Sequence, residues 1–244
     1  DSSPSRGLGD VYKRQDIPKV ILTEIFRQSE TSGIVKAAHA IHSGDMPEID
    51  TDFNLIQVDS EDAALSVILK AVGKLYEKEA NFQVLSPRHA GTAGVTNLNS
   101  ELRNLINPAG HGARQLRVAS GHIREGDRVM VTANDYSLGI YNGDVGKVSE
   151  IDLKKKVVRV KIHGVTPTYV EMDTKAANRL LRLAYAQTIH KSQGQEYDII
   201  LLPLLNSFGR QLQRNLIYTA VTRAKKKVFP VSYTHLRAHE TDYY

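Results

Sequence analysis

Residues 183–196 combine side-chain types that can hold phosphate groups. An apolar stretch leads there into a loop rich in hydroxyl, imidazole and amide groups around Gly194. A glycine lets the backbone approach a ligand closely, and polar side chains and backbone N–H groups donate to phosphate oxygens. Thr188, His190 and Ser192 are therefore candidate phosphate contacts.

Single arginines stand at the ends of two further predicted elements. Residues 218–225 are typical of an amphipathic helix that ends near Arg223, and Arg27 follows a short apolar strand predicted at residues 20–23. A guanidinium carries a fixed fork of donors that can stabilise the charge developing during phosphoryl transfer. The alternatives are a surface salt bridge for Arg27 and a favourable interaction with the helix dipole for Arg223.

These segments resemble the fourth, fifth and sixth signature motifs of superfamily 1 helicases, and their residues are most similar to those of the RecD-like and TraA-like branch. The resemblance implies that Arg27 and Arg223 are catalytic and reach the γ-phosphate of ATP. It implies further contacts to ATP from Gln28, Gly194, Gln195 and Glu196, the glutamate through the ribose. Thr188, His190 and Ser192 are then the DNA-binding residues of the fifth motif.

A glycine-bearing loop at residues 86–94 opens another predicted helix and resembles a helicase segment that meets single-stranded DNA. We expect free backbone N–H groups at the start of that helix to face phosphate. Arg88 would add positive charge beside Gly91. A plain strand-to-helix turn explains the same residues equally well.

No Gly-x-x-x-x-Gly-Lys-Ser/Thr loop occurs in the sequence, and no acidic pair stands in the usual context for holding Mg²⁺. The resemblance therefore implies that ATP with Mg²⁺ is held mainly by a first motor domain of the same full-length chain, upstream of Asp16. We expect this segment alone not to hydrolyse ATP. No neighbouring His, Asp and Glu have ligand spacing, so we predict no metal site.

Strands and helices alternate over residues 16–116, which predicts a parallel sheet covered by helices. Residues 117–180 read as short alternating strands separated by turn pairs, which predicts an inserted small barrel. The α/β pattern resumes over residues 181–231 with an apolar strand from Leu183. This order resembles the second motor domain of RecD-like helicases. The expected fold class is α/β: a RecA-like, P-loop-type sheet without a P-loop of its own, carrying a Src-homology-like all-β barrel.

Several element positions follow from periodicity and capping. We predict a helix over residues 32–43, strands over residues 53–58 and 82–86, and a helix capped by Ser60. Residues 1–15 and 232–244 resemble translated sequencing-adapter DNA, and such segments are left out of fold arguments. An ordinary polar tail is the alternative for both.

The formal net charge of +5 permits a polyanionic partner. The absence of cysteine excludes disulfides and cysteine-based metal sites and suits a reducing cytoplasm. No apolar run approaches the roughly 18 residues that span a bilayer, so we expect no membrane partner.

The resemblance implies the C-terminal part of an ATP-dependent helicase that moves 5′ to 3′ on single-stranded DNA and unwinds duplex DNA at a fork, in DNA repair or recombination. Two alternatives remain open. The same motor occurs in conjugative relaxases of the TraA type, joined to a nicking domain. A nucleic-acid-binding module without ATPase activity is the other, although it has no evident use for two separated arginine motifs.

Overall fold

The structure is a computed structural model that describes residues 32–110, 113–119, 121–164 and 166–232. The predicted strand at residues 20–23, and with it Arg27 and Gln28, lies outside the described residues. The described helices are α1 (Gly33–Ser43), α2 (Glu61–Glu77), α3 (Val95–Ile106), α4 (Thr174–Leu180) and α5 (Arg214–Val221). The strands are β1 (Ile56–Gln57), β2 (Phe82–Ser86), β3 (Gln115–Val118), β4 (Gly121–Arg124), β5 (Arg128–Val131), β6 (Val145–Asp152), β7 (Val157–Ile162), β8 (Thr168–Asp173), β9 (Leu181–Leu183), β10 (Ala186–Thr188), β11 (Tyr197–Pro203) and β12 (Ala224–Ser232).

Five of these strands form one parallel sheet in the order β1-β12-β11-β2-β10. Its central strands are apolar because both faces are covered, which is the usual condition of a parallel sheet. Helices α1 and α5 pack on one face, while α2 and α3 pack on the other. The predicted α/β class with a parallel sheet is confirmed.

Local sequence signals explain where the first helices begin and end. Ser32 caps α1 by accepting a hydrogen bond from the Ile34 amide (3.2 Å), and Gly44 ends that helix with φ 91°. Ser60 caps α2 by accepting from the Ala63 amide (3.1 Å), as predicted. The strand predicted at residues 53–58 is shorter than expected. Phe53 turns back onto Asp50 through two backbone hydrogen bonds, which leaves only β1 in regular strand geometry.

A second unit is entirely antiparallel. Its main sheet has the order β8-β7-β6-β5-β9, and β3 and β4 form a separate hairpin. Alternate residues of β6, β7 and β8 point into a core of valine, isoleucine and methionine side chains. Strand β9 differs from expectation: the apolar stretch at Leu183 was predicted to start a motor strand, but Leu183 pairs with Val129 of β5. The antiparallel strand pairing thus extends from Gln115 to Leu183, beyond the limits 117–180 predicted for the inserted barrel. The division into domains stays a prediction.

The two units meet at a polar junction beneath β5. The carboxylate of Asp127 is fully buried and accepts hydrogen bonds from the Tyr185 hydroxyl (3.0 Å), the Asn107 amide group (2.7 Å) and the Arg124 backbone N–H (2.8 Å). The neighbouring Arg128 donates through Nη1 to the Phe82 carbonyl at the start of β2 (3.1 Å). Burial lowers the pKa of Arg128 and raises the pKa of Tyr185. Hydrogen bonds therefore fix the second unit to the parallel sheet.

Among the described residues, no helix is long and apolar enough to cross a bilayer.

We predict that Asp127→Ala lowers the free energy of unfolding by about 3 kcal/mol, because three donors lose their acceptor and all three belong to buried or half-buried residues. Urea unfolding measures the change. Asp59→Ala is the matched control, since the Asp59 carboxylate is exposed and, among the described residues, accepts a hydrogen bond only from the adjacent Ser60 hydroxyl. The control should stay within about 0.5 kcal/mol of the parent. Equal effects of the two substitutions would contradict a supporting role for the junction.

Candidate functional site

The pairing of β2 with β10 brings two of the predicted segments together. Ser86 and Thr188 are register partners at the carboxyl ends of these parallel strands. The loop at residues 87–94 and the short 3-10 turn His190–Ser192 therefore leave the sheet side by side, and we call this side the carboxyl edge. Thr188 Oγ1 accepts from the Lys191 amide (3.3 Å), and His190 is exposed. Thr188 is buried, so the polar surface at this edge is formed by His190 and the loop at residues 87–94.

Arg88 is held by protein groups at this edge. Its Nε donates to the Ala90 carbonyl (2.8 Å), its Nη1 donates to the Ser207 carbonyl (2.8 Å), and its guanidinium lies 5.1 Å from the centre of the Phe208 ring. Gly91 adopts φ 98°, and a Cβ there would lie 2.6 Å from Arg88 Nη2. The arginine therefore fastens its own loop to the segment after β11, and Gly91 provides the space for it.

The expected free N–H groups at the start of α3 do not occur at its first two residues. The Val95 amide donates to the Arg88 carbonyl (3.0 Å) and the Thr96 amide donates to the His89 carbonyl (3.0 Å). The loop folds back over the helix terminus and supplies its acceptors, so the prediction of free N–H groups was wrong for these two residues. Ser192 is likewise occupied: it is fully buried, and its hydroxyl donates to the Ile189 carbonyl (2.7 Å).

The nucleotide-contacting residues predicted from the sixth motif and the end of the fifth lie at the opposite edge of the sheet. Strands β11 and β12 begin side by side with Tyr197 and Ala224 as partners. Glu196 and Arg223, which precede these partners, therefore lie at the same edge of the sheet. The Tyr197 amide donates to the Arg223 carbonyl (3.0 Å). We call this side the amino edge.

Both charged groups at the amino edge have protein neighbours. Arg223 is half-buried and donates from Nε to the Thr219 carbonyl (3.2 Å), which orients the guanidinium along the end of α5. The Glu196 carboxylate lies 2.9 Å from Lys225 Nζ. Gly194 is exposed with φ 83°, and no atom lies within 4 Å of the position that a Cβ would take. An open loop, a carboxylate and an oriented guanidinium thus share one edge.

Gln195 connects this loop to the antiparallel unit. Its Nε2 donates to the Gly143 carbonyl (2.7 Å), and its Oε1 accepts from the Tyr197 hydroxyl. Burial raises the pKa of Tyr197, so its hydroxyl keeps the proton that it donates. Both polar atoms of the amide are therefore engaged by protein groups. The contact to ATP predicted for Gln195 stays a prediction, and the structure gives this side chain a different set of partners.

Comparisons with known proteins bear on both units. Residues 98–162 match the family described as "ATP-dependent RecD-like DNA helicase SH3 domain", and residues 183–231 match the "UvrD-like helicase C-terminal domain". This chain carries the C-terminal helicase domain of a RecD-like enzyme. The resemblance of residues 183–225 to helicase motifs is thereby confirmed, as is the Src-homology-like character predicted for the antiparallel unit.

The relatives agree with this family. The chain is similar to the "ATP-dependent RecD2 DNA helicase" of Deinococcus radiodurans, with 35% identity over 91% of this chain and 30% of that protein. It is also similar to the "RecBCD enzyme subunit RecD" of Mycolicibacterium smegmatis, with 34% identity over 60% of this chain and 24% of that protein. The chain thus spans less than a third of these relatives' length.

A solved structure supports the fold alone. The Bacteroides Pif1 structure bound to single-stranded DNA superposes with a TM-score of 0.52 at 20% sequence identity, over 88% of this chain and 51% of that chain. In the described part of this RecD-like chain, no cluster of three or more His, Asp or Glu side chains is placed to hold a metal ion.

Contacts of three residues in this site were not predicted from the sequence: Lys191, Gly143 and Tyr197. Lys191 lies in the 3-10 turn at the carboxyl edge, and desolvation followed by the nearby Arg182 lowers its pKa. Gly143 and Tyr197 hold Gln195 from two different units. The lysine stands inside the fifth motif and is visible in the sequence. The contacts to Gly143 and Tyr197 depend on tertiary placement, and no local pattern signals them.

We predict that Arg88→Ala and Arg88→Lys both destabilise the chain, by about 2 kcal/mol, because neither replacement reproduces the fork between the Ala90 and Ser207 carbonyls. Unfolding midpoints in urea measure the effect. Arg210→Ala removes an exposed arginine from the same surface and serves as the control. An arginine that acts only on DNA phosphate would instead leave stability unchanged and let lysine restore most of the binding.

For Gln195→Ala we expect faster amide hydrogen exchange in residues 141–144, together with a loss of about 1 kcal/mol in the free energy of unfolding. The reason is that the Gly143 carbonyl loses its donor and the buried Tyr197 hydroxyl loses its acceptor. Hydrogen exchange read by mass spectrometry is the measurement. Gln193→Ala, at an exposed position of the same loop, is the control and should exchange like the parent. Unchanged exchange in Gln195→Ala would return this side chain to a role in ligand contact alone.

Proposed function

We propose that this chain is the second motor unit of an ATP-dependent DNA helicase that translocates 5′ to 3′ on single-stranded DNA. The observation that carries the proposal is the course of residues 188–196. They leave the carboxyl edge beside Arg88 and reach the amino edge beside Arg223, so one continuous segment touches both candidate surfaces. A motor needs such a link because the binding and hydrolysis of a nucleotide must change how tightly the protein binds DNA.

The amino edge carries groups that can bind a nucleotide. Arg223 supplies an oriented cation for phosphate, Glu196 supplies an acceptor for a ribose hydroxyl, and Gly194 leaves open space for close approach. ATP with Mg²⁺ would supply the phosphoryl group that is transferred to water. In the proposal, Arg223 stabilises charge on that group, and Arg27 with Gln28 assists from beyond the described residues. The resting contact of Glu196 with Lys225 would open when the carboxylate turns to a ribose.

We propose that a first motor domain of the same polypeptide forms the other wall of the nucleotide cleft. The relatives in Deinococcus radiodurans and Mycolicibacterium smegmatis are much longer than this chain, which leaves room for such a domain. Closure of two motor domains around nucleotide would carry the arginines to the reacting phosphate. Arginines supplied in this way act mainly on the transition state.

The carboxyl edge is the proposed track for the DNA strand. Thr188, His190 and the backbone of the loop that contains Gly91 would contact phosphates without reading sequence. Arg88 would contribute mainly by holding that loop in shape, and Ser192 by holding the 3-10 turn. Two findings support DNA as the ligand. One relative is named a DNA helicase, and the chain shares its fold with a Pif1 structure that is bound to single-stranded DNA. Duplex DNA at a fork would be the substrate that advance along the strand opens.

We predict that Arg223→Ala, made in a full-length RecD-like helicase carrying this region, lowers kcat for ATP hydrolysis by about 10³-fold or more with little change in nucleotide affinity. Arg223→Lys should recover little, because an ammonium lacks the planar fork. Steady-state ATPase assays and binding of a fluorescent nucleotide give the two quantities. Lys226→Ala is the control, since it removes an exposed cation paired to Asp198. Near-normal turnover in Arg223→Ala would remove the core of this proposal.

A further inference from the structure

A row of cations crosses the outward face of the antiparallel sheet. Arg128 of β5 pairs in register with Lys147 of β6, Lys147 pairs with Lys161 of β7, and Lys161 pairs with Tyr169 of β8. Cross-strand partners share one face of a sheet. Their sequence neighbours Val148, Val160 and Val170 are buried in the core, so Lys147, Lys161 and Tyr169 point outward. Arg128 lies on the same face, but its side chain is buried against the parallel sheet. We call Arg128, Lys147, Lys161 and Tyr169 the cation row.

In the neighbouring row of the same sheet face, the charged side chains form ion pairs. There Glu150, Arg159 and Glu171 face one another across the same three strands. Arg159 lies 2.6 Å from the Glu150 carboxylate and 2.7 Å from the Glu171 carboxylate. In that row each charge has an opposite partner.

The cation row has no such compensation. Within the described residues, neither Lys147 nor Lys161 forms an ion pair, and the two lysines are direct cross-strand partners. Like charges placed directly opposite on a sheet are destabilising. Desolvation, followed by the fields of Arg128, Lys161 and Lys147, lowers the pKa of the adjacent His163. The potential over this part of the face is therefore positive, and an anion would relieve the repulsion.

Tyr169 adds an exposed aromatic ring to the row. The residue is 66% exposed, and Lys161 Nζ lies 5.8 Å from the centre of its ring. An exposed ring next to cations offers a stacking surface and phosphate donors within one reach. Paired bases in a duplex do not present their faces, so this combination favours a single strand. Arg128 contributes charge but donates its Nη1 to Phe82, so it ties the row to the parallel sheet.

We propose that the cation row is a second binding site for single-stranded nucleic acid, in which Lys147 and Lys161 hold phosphates and Tyr169 stacks on a base. The strand would cross the sheet at right angles to β6, β7 and β8, over about 10 Å from Lys147 to Tyr169. The proposal shares its ligand with the proposed function but uses none of the helicase-motif residues. Sequence would not be read, because phosphate and stacking contacts are tolerant of it.

The test measures binding of this 244-residue chain to a fluorescein-labelled oligothymidylate of about 20 nucleotides, longer than one small barrel covers, by anisotropy at several salt concentrations. K147Q/K161Q should weaken binding about tenfold at low salt and flatten the salt slope by about 1.4, since each neutralised phosphate contributes about 0.7 on single strands. K70Q/K74Q removes the same charge from exposed positions of α2 and is the control. Equal effects of the two double variants would overturn the site.

Stacking is tested separately at Tyr169. Tyr169→Ala should lose about tenfold in affinity, whereas Tyr169→Phe should keep the parent value because the ring remains. If both variants lose affinity equally, or if neither variant loses affinity, the stacking contact is overturned. An equal loss for a matched duplex, or displacement of the oligonucleotide by poly-glutamate from the parent but not from K147Q/K161Q, would assign the row to polyanions in general and overturn the single-strand assignment. Absence of any binding by the parent chain would overturn the row. The proposed motor function is tested separately, by the ATPase activity of the Arg223 variants in the full-length helicase.

Discussion

The parallel pairing of β11 with β2 on one side and β12 on the other determines where every candidate contact lies. Because all three strands run the same way, residues that precede β11 and β12 collect at one edge and residues that follow β2 and β10 collect at the other. Glu196 and Arg223 become neighbours for this reason, although they are 27 positions apart in the sequence, as the register of Tyr197 with Ala224 shows. An antiparallel arrangement would have scattered the same side chains over both edges.

The second unit depends on the same sheet through polar contacts. Asp127 gathers donors from Asn107, Arg124 and Tyr185, while Arg128 reaches the first carbonyl of β2. A hydrogen-bonded contact of this kind fixes direction as well as proximity, since each partner must meet its acceptor at a set angle. The hydrogen bond between Gln195 and Gly143 extends this connection to the loop at the amino edge. The antiparallel unit is thereby oriented with respect to both edges.

Local signals were sufficient for the regular elements. The strand at residues 82–86 follows from a short apolar run, and the cap at Ser60 follows from a hydroxyl side chain before helical periodicity. Leu183 was assigned to the wrong sheet because the stretch from Leu180 to Tyr185, apolar except for Arg182, contains no turn residue, and periodicity does not state which sheet a strand joins. The motif residues were placed by resemblance. The partner of Arg88 lies 119 residues away at Ser207, and only the folded chain brings that carbonyl to the guanidinium.

The connection between β10 and β11 has a mechanical consequence. In the register of the sheet, Thr188 is level with Ser86 and thus with Pro203, so the chain must travel back about 20 Å to start β11 at Tyr197. Eight residues make this journey, and three of them are coiled in the 3-10 turn His190–Ser192, which advances only about 2 Å per residue. Their combined reach, about 26 Å, exceeds the span by only about 6 Å. The two ends of this segment are therefore coupled: a displacement of more than a few ångströms at one end must either move the other end or open the 3-10 turn.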